Sequence, residues 1–306
     1  MTGTGSDKSR CAAALTSADS LRRAKLFEDL LVERLERKCR QAEDVWESVA
    51  RDWNQAFYLM FLRAMGAPRN SQPFETLGRR ATFHMCMKER GRLRSVEALL
   101  LGTSGLLFGQ YYDDYILSLQ EDFRYLAAKY SLAAMLGGEW NTTRMLPSGG
   151  PIVRIAQAAS VVSEERFCFD SAVACRTVED VRRLFGAEVS DYWHAHFSPK
   201  DRSDHAPKRI GNQRLDTLAI NLVVPMQFAY AKQTADEKLK AAALTLLESV
   251  PAESNRIVAG WTSGGVELAS AADSQSLLQL ESYCRTALCR KCPLAKQLKI
   301  TTFDHL

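Results

Sequence analysis

Apolar positions recur every three or four residues over most of this chain, a period that predicts helices. The clearest stretch is Tyr115–Leu136, where Ile116, Leu119, Phe123, Leu126 and Tyr130 form one stripe. Asp113 or Asp114 can cap its start, and Gly137–Gly138 is expected to end it. A long helix is expected over Leu21–Val49, capped by Ser17 or Ser20 and reinforced by the i,i+4 pairs Glu33–Arg37 and Glu36–Arg40. A helix carrying Trp53, Phe57, Leu59, Met60 and Phe61 stops at Gly66 and Pro68, and another begins near Ser71 and Pro73. Leu93–Phe108 has helical spacing but contains Gly102 and Gly105, which predict a break or a close approach of two helices. Later helices are expected at Val178–Phe185, Arg214–Lys232, Asp236–Ser249 and Ala269–Tyr283. Thr217–Val224 is ambiguous, because a short run rich in β-branched residues also suits a buried strand.

These elements give an all-α fold with at most a few short strands. Residues 1–16, rich in Thr, Gly and Ser, read as a flexible leader. Residues 17–306 read as one large helical domain, with any subdivision near 138–151. Two long connectors, Gly137–Pro151 and Ser198–Gln213, carry Gly, Pro and charge; loops of that length in a packed domain are often functional surfaces.

Composition changes this picture little. The chain of 306 residues is 46% hydrophobic and 25% charged, an ordinary globular balance. A net charge of +4 neither demands nor excludes a nucleic-acid partner. No run approaches the roughly 18 apolar residues of a membrane span, and Met1–Arg10 lacks the apolar core of a signal peptide. Eight cysteines in a chain of this length suit a reducing compartment better than a disulfide framework, so the expectation is a cytoplasmic protein without a membrane partner.

The strongest chemical signal is Cys284-x4-Cys289-x2-Cys292. The two-residue gap lets both thiolates reach one centre, and three thiolates suit zinc or an iron–sulphur cluster. A fourth donor is needed; His305 is the nearest candidate downstream, with Cys168, Cys175 and His196 reachable only through folding. The alternative is three packed or exposed thiols with no ion. Tyr192-Trp193-His194-Ala195-His196 would present both histidines on one face of a strand, but its helical surroundings favour an aromatic cluster around Trp193 and His196. Arg154 and Gln157 are three apart and, with Arg144, flank the first connector. They can meet an anion or a nucleic-acid backbone at a helix start, or simply tie the loop to carbonyl groups. Lys88–Arg94 reads as a solvated basic loop. There is no P-loop, dinucleotide fingerprint, HExxH or nucleophile elbow, so no catalytic residue is assigned.

The tail Leu277-Leu278-Gln279-Leu280…Tyr283-Cys284…Cys289-Arg290-Lys291-Cys292-Pro293-Leu294 resembles, over that short stretch, the iron–sulphur tail of endonuclease III-like and adenine DNA glycosylases. That family places a fourth cysteine near the position held here by Leu298. Its glycine-bearing DNA-gripping hairpin has no counterpart in Val250–Asn255, so glycosylase activity is not implied.

A wider set of segments resembles an uncharacterised bacterial family, the domain of unknown function 2851. These are Glu33-Arg34-Leu35-Glu36-Arg37-Lys38, Asn70…Pro73-Phe74, Glu97–Gly102, Trp140…Arg144…Pro147, Arg154-Ile155-Ala156-Gln157, Tyr192-Trp193, Asn221…Pro225, Pro251-Ala252-Glu253…Asn255, Asp273-Ser274-Gln275 and the cysteine tail. The resemblance is to the family's C-terminal part and implies no activity. Full-length members carry an N-terminal region with Gly-Pro-Asp-Phe and Val-Glu-Ile-His segments, similar to metal-dependent nuclease cores and without counterpart here. The expectation is a helical binding or scaffold module that is not an enzyme by itself, with nucleic acid or a protein supplying that region as partner. The alternative is a nucleic-acid-processing enzyme, either a degenerate glycosylase or a nuclease-family member lacking its catalytic region.

Overall fold

The computed structural model describes residues 5–109, 113–286 and 288–297. Helices dominate, as the periodicity predicts. In chain order the first are α1 (Gly5–Ser17), α2 (Ser20–Ser48), α3 (Trp53–Gly66), α4 (Ser71–Arg80), α5 (Phe83–Glu89), α6 (Leu93–Thr103) and α7 (Asp114–Tyr130). Then come α8 (Pro151–Ser163), α9 (Phe169–Ala174), α10 (Val178–Phe185), α11 (Asp191–His194), α12 (Asn212–Leu218) and α13 (Val224–Thr234). The last are α14 (Glu237–Ser249), α15 (Arg256–Thr262), α16 (Ala271–Arg285) and α17 (Pro293–Gln297). Two short antiparallel strands, β1 (His196–Ser198) and β2 (Asp201–Arg202), make the one sheet among the described residues. No helix among the described residues is long and apolar enough to cross a membrane.

The chain divides into two compact units instead of the single domain expected. Unit 1 joins residues 1–41 to 227–306, and unit 2 is residues 42–226. The boundaries fall inside α2 and α13, not near 138–151. The Gly/Pro connector does not separate domains because its backbone is tied into unit 2. Asn70 donates to the Asn141 carbonyl (2.9 Å) and accepts from the Asn141 N–H (2.8 Å). Trp140 donates its indole N–H to the Ser104 carbonyl (2.8 Å) and meets Phe74 edge-on.

Unit 2 is built on α3, whose Phe57, Leu59, Phe61 and Leu62 are fully buried. Asp52 caps it by accepting from the Asn54 and Gln55 N–H groups. Phe61 stacks on Phe185 of α10 at 5.3 Å, and Phe57 meets Phe167 at 5.0 Å. The middle and end of α6 are buried all round, from Val96 to Thr103. The two glycines act in both of the ways expected. A Cβ on Gly102 would lie 2.1 Å from the Phe123 ring of α7, so this glycine permits the α6–α7 approach. Gly105 breaks the chain after α6 in a left-handed conformation (φ +75°). Gly102→Ala is expected to destabilise unit 2 by about 1–3 kcal/mol through overpacking against Phe123. Urea unfolding showing no loss would remove this account of Gly102.

The stripe on α7 is as predicted, with Ile116, Leu119, Phe123 and Leu126 buried and Asp113 accepting from the Tyr115 and Ile116 N–H groups. The helix ends at Tyr130, short of the Gly pair. Ser131 is left-handed (φ 53°) and the Leu132 N–H donates back to the Ala127 carbonyl. The segment beyond it pairs instead with the end of α6, the Met135 N–H donating to the Thr103 carbonyl at 2.7 Å. The ambiguous run Thr217–Val224 is helical, with a π turn at Ala219–Val223. Pro225, one residue into α13, cannot donate an N–H, and the widened turn directly precedes it.

Unit 1 corrects three expectations. Residues 5–17 are helical, not a leader, because α1 carries an apolar face: Ala12 and Leu15 are buried among Leu26, Leu30, Trp261, Leu277 and Leu280. That burial contributes roughly 2–3 kcal/mol. The cap of α2 is Asp19, which accepts from the Leu21 and Arg22 N–H groups, and neither Ser17 nor Ser20 supplies it. Glu33 does not pair with Arg37; it accepts from Gln279 (2.7 Å) and Tyr283 (2.8 Å) of α16. On the same face Gln275 accepts from Lys38 (2.5 Å) and Arg34 (2.6 Å) and donates to Glu253. The segments Glu33–Lys38, Pro251–Asn255 and Asp273–Gln275, distant in sequence, therefore meet in one polar ladder. Burial pushes Lys38 well below the usual lysine range and Arg34 down to about 10.

Candidate functional site

The most distinctive surface of unit 2 lies where the Gly/Pro connector enters α8. Gly150 precedes the helix and Pro151 opens it, a residue whose missing N–H is no loss at that position. Arg154 sits in the first turn, half-buried, with its Nε 3.4 Å from the Gly149 carbonyl. Arg214, in the first turn of α12, is also half-buried and donates to the Ala64 carbonyl at 2.9 Å. Both arginines line two adjoining pockets. One, of about 620 Å³, also takes in Gln157, Arg209, Asn212 and Thr217; the other, of about 310 Å³, takes in Arg69, Arg144 and Met145.

Among the described residues neither Arg154 nor Arg214 has a carboxylate partner, and no Asp, Glu, His or Cys lines either pocket. Burial lowers the pKa of Arg154; burial and then the charge of Arg154 lower that of Arg214 to about 10. Two like charges held close together and partly shielded from water are an unfavourable arrangement that an anion would relieve.

The structure divides the sequence-predicted anion contacts by role. Arg154 is at the centre of the pocket. Arg144 is at its rim, exposed and in a left-handed turn (φ 53°). Gln157 lines the pocket, but its side-chain amide donates to the Lys208 carbonyl at 2.7 Å and so positions the second connector. Loop-tying is shared: Arg69 donates to the Thr143 carbonyl at 2.6 Å, and the Arg154 contact with the Gly149 carbonyl ties the same connector. Sequence reasoning missed Arg214, Arg69 and Arg209. The one local signal was a lone arginine within the apolar face of α12, which by itself reads as a stray charge.

Trp193 and His196 belong to a different cluster. Trp193 is fully buried and donates its indole N–H to Glu97 at 3.1 Å. Glu97, itself fully buried, also accepts from Tyr115 and from Ser190 (3.0 Å), and burial raises its pKa. Tyr192 stacks between Tyr115 and His196, with ring centroids at 4.7 and 4.1 Å. Both nitrogens of His196 are engaged: Nε2 accepts from Arg202 (3.2 Å), leaving Nδ1 to donate to the Tyr192 carbonyl (2.9 Å). His194 ends α11 whereas His196 opens β1, so the two do not share a strand face.

Of the metal-ligand candidates, Cys284 lies in the last turn of α16, Cys289 in a 3-10 turn at Cys289–Lys291, and buried Cys292 just before α17. Among the described residues no three His, Cys, Asp or Glu side chains are gathered to hold a single ion. His305 lies outside the described residues. Cys168 and Cys175 belong to unit 2, where both bond to Ser171.

The model of a family described as "Protein of unknown function (DUF2851)" matches residues 2–256. The match begins well before Glu33, the first residue of the segments that carried the resemblance, and leaves the cysteine tail outside it. No curated protein and no solved structure matches the chain.

Proposed function

Since this chain belongs to the DUF2851 family of proteins of unknown function, we propose its role from its own residues: a helical binding module that holds the phosphate backbone of a nucleic acid at the arginine pocket. The observation that carries this reading is the pair Arg154 and Arg214, half-buried side by side with no acidic partner among the described residues. Arg69 and Arg144 extend the positive surface over the adjoining pocket, and Arg209, paired with Glu188 at 3.6 Å, stands at the edge of the first. Several guanidinium groups spread along a groove suit a polyanion better than one small ion, because each can fork onto a separate phosphate. Exposed Leu146 and partly exposed Met145 at the rim give an apolar surface for a base or sugar.

The reading favours binding over hydrolysis, since the lining contains no group able to take a proton from water. Fluorescence anisotropy with labelled single-stranded and duplex DNA and RNA tests it. Affinity is expected to fall steeply between 50 and 200 mM salt, as about tenfold or more for a multi-phosphate contact. The double variant Arg154→Ala/Arg214→Ala is expected to bind about 10–100-fold more weakly, with a shallower salt slope. Unchanged affinity and slope in a folded double variant would remove the pocket from the proposal. Turnover of a nucleic acid by this chain alone would replace the binding reading with the enzymatic one.

A further inference from the structure

We infer that the arginine pocket holds the end of a nucleic-acid strand, taking a terminal phosphate monoester between Arg154 and Arg214 in preference to a phosphodiester within the strand. This rests on the binding role proposed above and narrows its ligand from any backbone phosphate to one at a strand terminus.

Its first ground is the balance of charge and donors. The two pockets meet at Ser148, Arg154 and Arg214, which line both. Arg154 commits its Nε to the Gly149 carbonyl at 3.4 Å, and Arg214 commits one Nη to the Ala64 carbonyl at 2.9 Å. The other N–H groups of both guanidinium forks have no acceptor among the described residues. A phosphodiester brings them a single charge and two free oxygens. A terminal phosphate near pH 7 brings roughly two charges and three free oxygens. Each fork can then take its own edge of the same phosphate, so the monoester is the better match on both counts. The helix acts in the same direction. No side chain caps α8, and Gly149 and Pro151 at its start line the second pocket. A helix start left open in this way favours the more highly charged anion.

Its second ground is that the positive surface runs only one way. On one side of the junction Arg69 and Arg144 continue it over the second pocket. On the other side the first pocket offers uncharged Gln157, Asn212, Gln213 and Thr217, together with Arg209, whose charge is offset by Glu188 at 3.6 Å. A strand crossing the junction would need its phosphates held on both sides. A strand ending there needs its terminal phosphate at the arginine pair and the next ones along Arg69 and Arg144. The one-sided track fits an end.

The test is fluorescence anisotropy with an internally labelled single-stranded oligonucleotide, made as DNA and as RNA. Each is prepared with hydroxyl groups at both ends, with a 5′-phosphate, with a 3′-phosphate, and with a phosphate methyl ester at whichever end binds better. A phosphate at one end is expected to tighten binding about 10–100-fold over the hydroxyl form. The methyl ester, which removes a charge and a free oxygen, is expected to return affinity to the hydroxyl level. In Arg154→Ala/Arg214→Ala all forms should bind alike. Equal affinity of the wild type for every form would overturn the terminal assignment while leaving backbone binding intact. Binding of no form would overturn both. An end preference that survives in the folded double variant would also overturn it, by moving the terminal phosphate away from these arginines. Should the double variant fail to fold, the methyl ester decides on the wild type alone. Binding of the ester as tight as that of the free phosphate overturns the inference, because the pocket then does not read the second charge.

Discussion

Replacing Glu97 with alanine is expected to lower the stability of unit 2 by about 3–5 kcal/mol. The carboxylate is the shared acceptor for Tyr115, Ser190 and Trp193, and all of its side chain is out of water. Truncation strands the Trp193 indole N–H, leaves the Tyr115 and Ser190 hydroxyls with only each other, and opens a void beside Trp193, and these effects act in the same direction. Glu97→Gln keeps the shape and should be far milder, since the Tyr115 and Ser190 hydroxyls can turn to accept from the new amide. pH separates the two variants further. Burial raises the folded-state pKa of Glu97 above its ordinary 4.5, so the native state holds a proton that the unfolded chain releases. The stability from the protonated form is complete below the ordinary value and is lost as pH rises through the folded one. Glu97→Gln should therefore gain on the wild type as pH rises. Urea unfolding across pH 4–8 reads both effects; an alanine variant within about 1 kcal/mol of wild type would show that the network contributes little.

Gly105→Ala should be nearly as damaging, at about 2–5 kcal/mol. The left-handed backbone costs an L-residue about 1–2 kcal/mol. The added Cβ would also stand 2.0 Å from the Met135 carbonyl oxygen. A backbone atom cannot rotate away as a side chain can, so the segment that leaves α7 must shift and lose the Met135 to Thr103 hydrogen bond. Thermal unfolding provides the measurement. A melting temperature equal to that of the wild type would mean that the turn after α6 tolerates a side chain.

Local chemistry made much of this fold legible. The α7 stripe, the Asp113 cap and the limits of α10 all follow from residues within a few positions of one another. What escaped was decided at long range. Ser20 is as good a cap as Asp19 by residue type, and the choice depends on where α1 delivers the chain. Glu33 and Arg37 are ideally spaced to pair, yet Gln279 and Tyr283 compete for the same carboxylate from the far end of the sequence. The same limit governs the sites. Arg154 stood out beside its connector, but Arg214 mattered only once folding set the two together.

Unit 1 is assembled from two stretches far apart in sequence, residues 1–41 and 227–306, with unit 2 between them. On a ribosome adding about 5–20 residues per second, residues 42–226 occupy roughly 10–40 s of synthesis. During that interval α1 and the first half of α2 have emerged without the helices that will cover their apolar faces. Unit 2 can fold while it waits; unit 1 cannot close until the helices from Gln227 onward have been made. Nascent α1 is therefore open to chaperones throughout that interval.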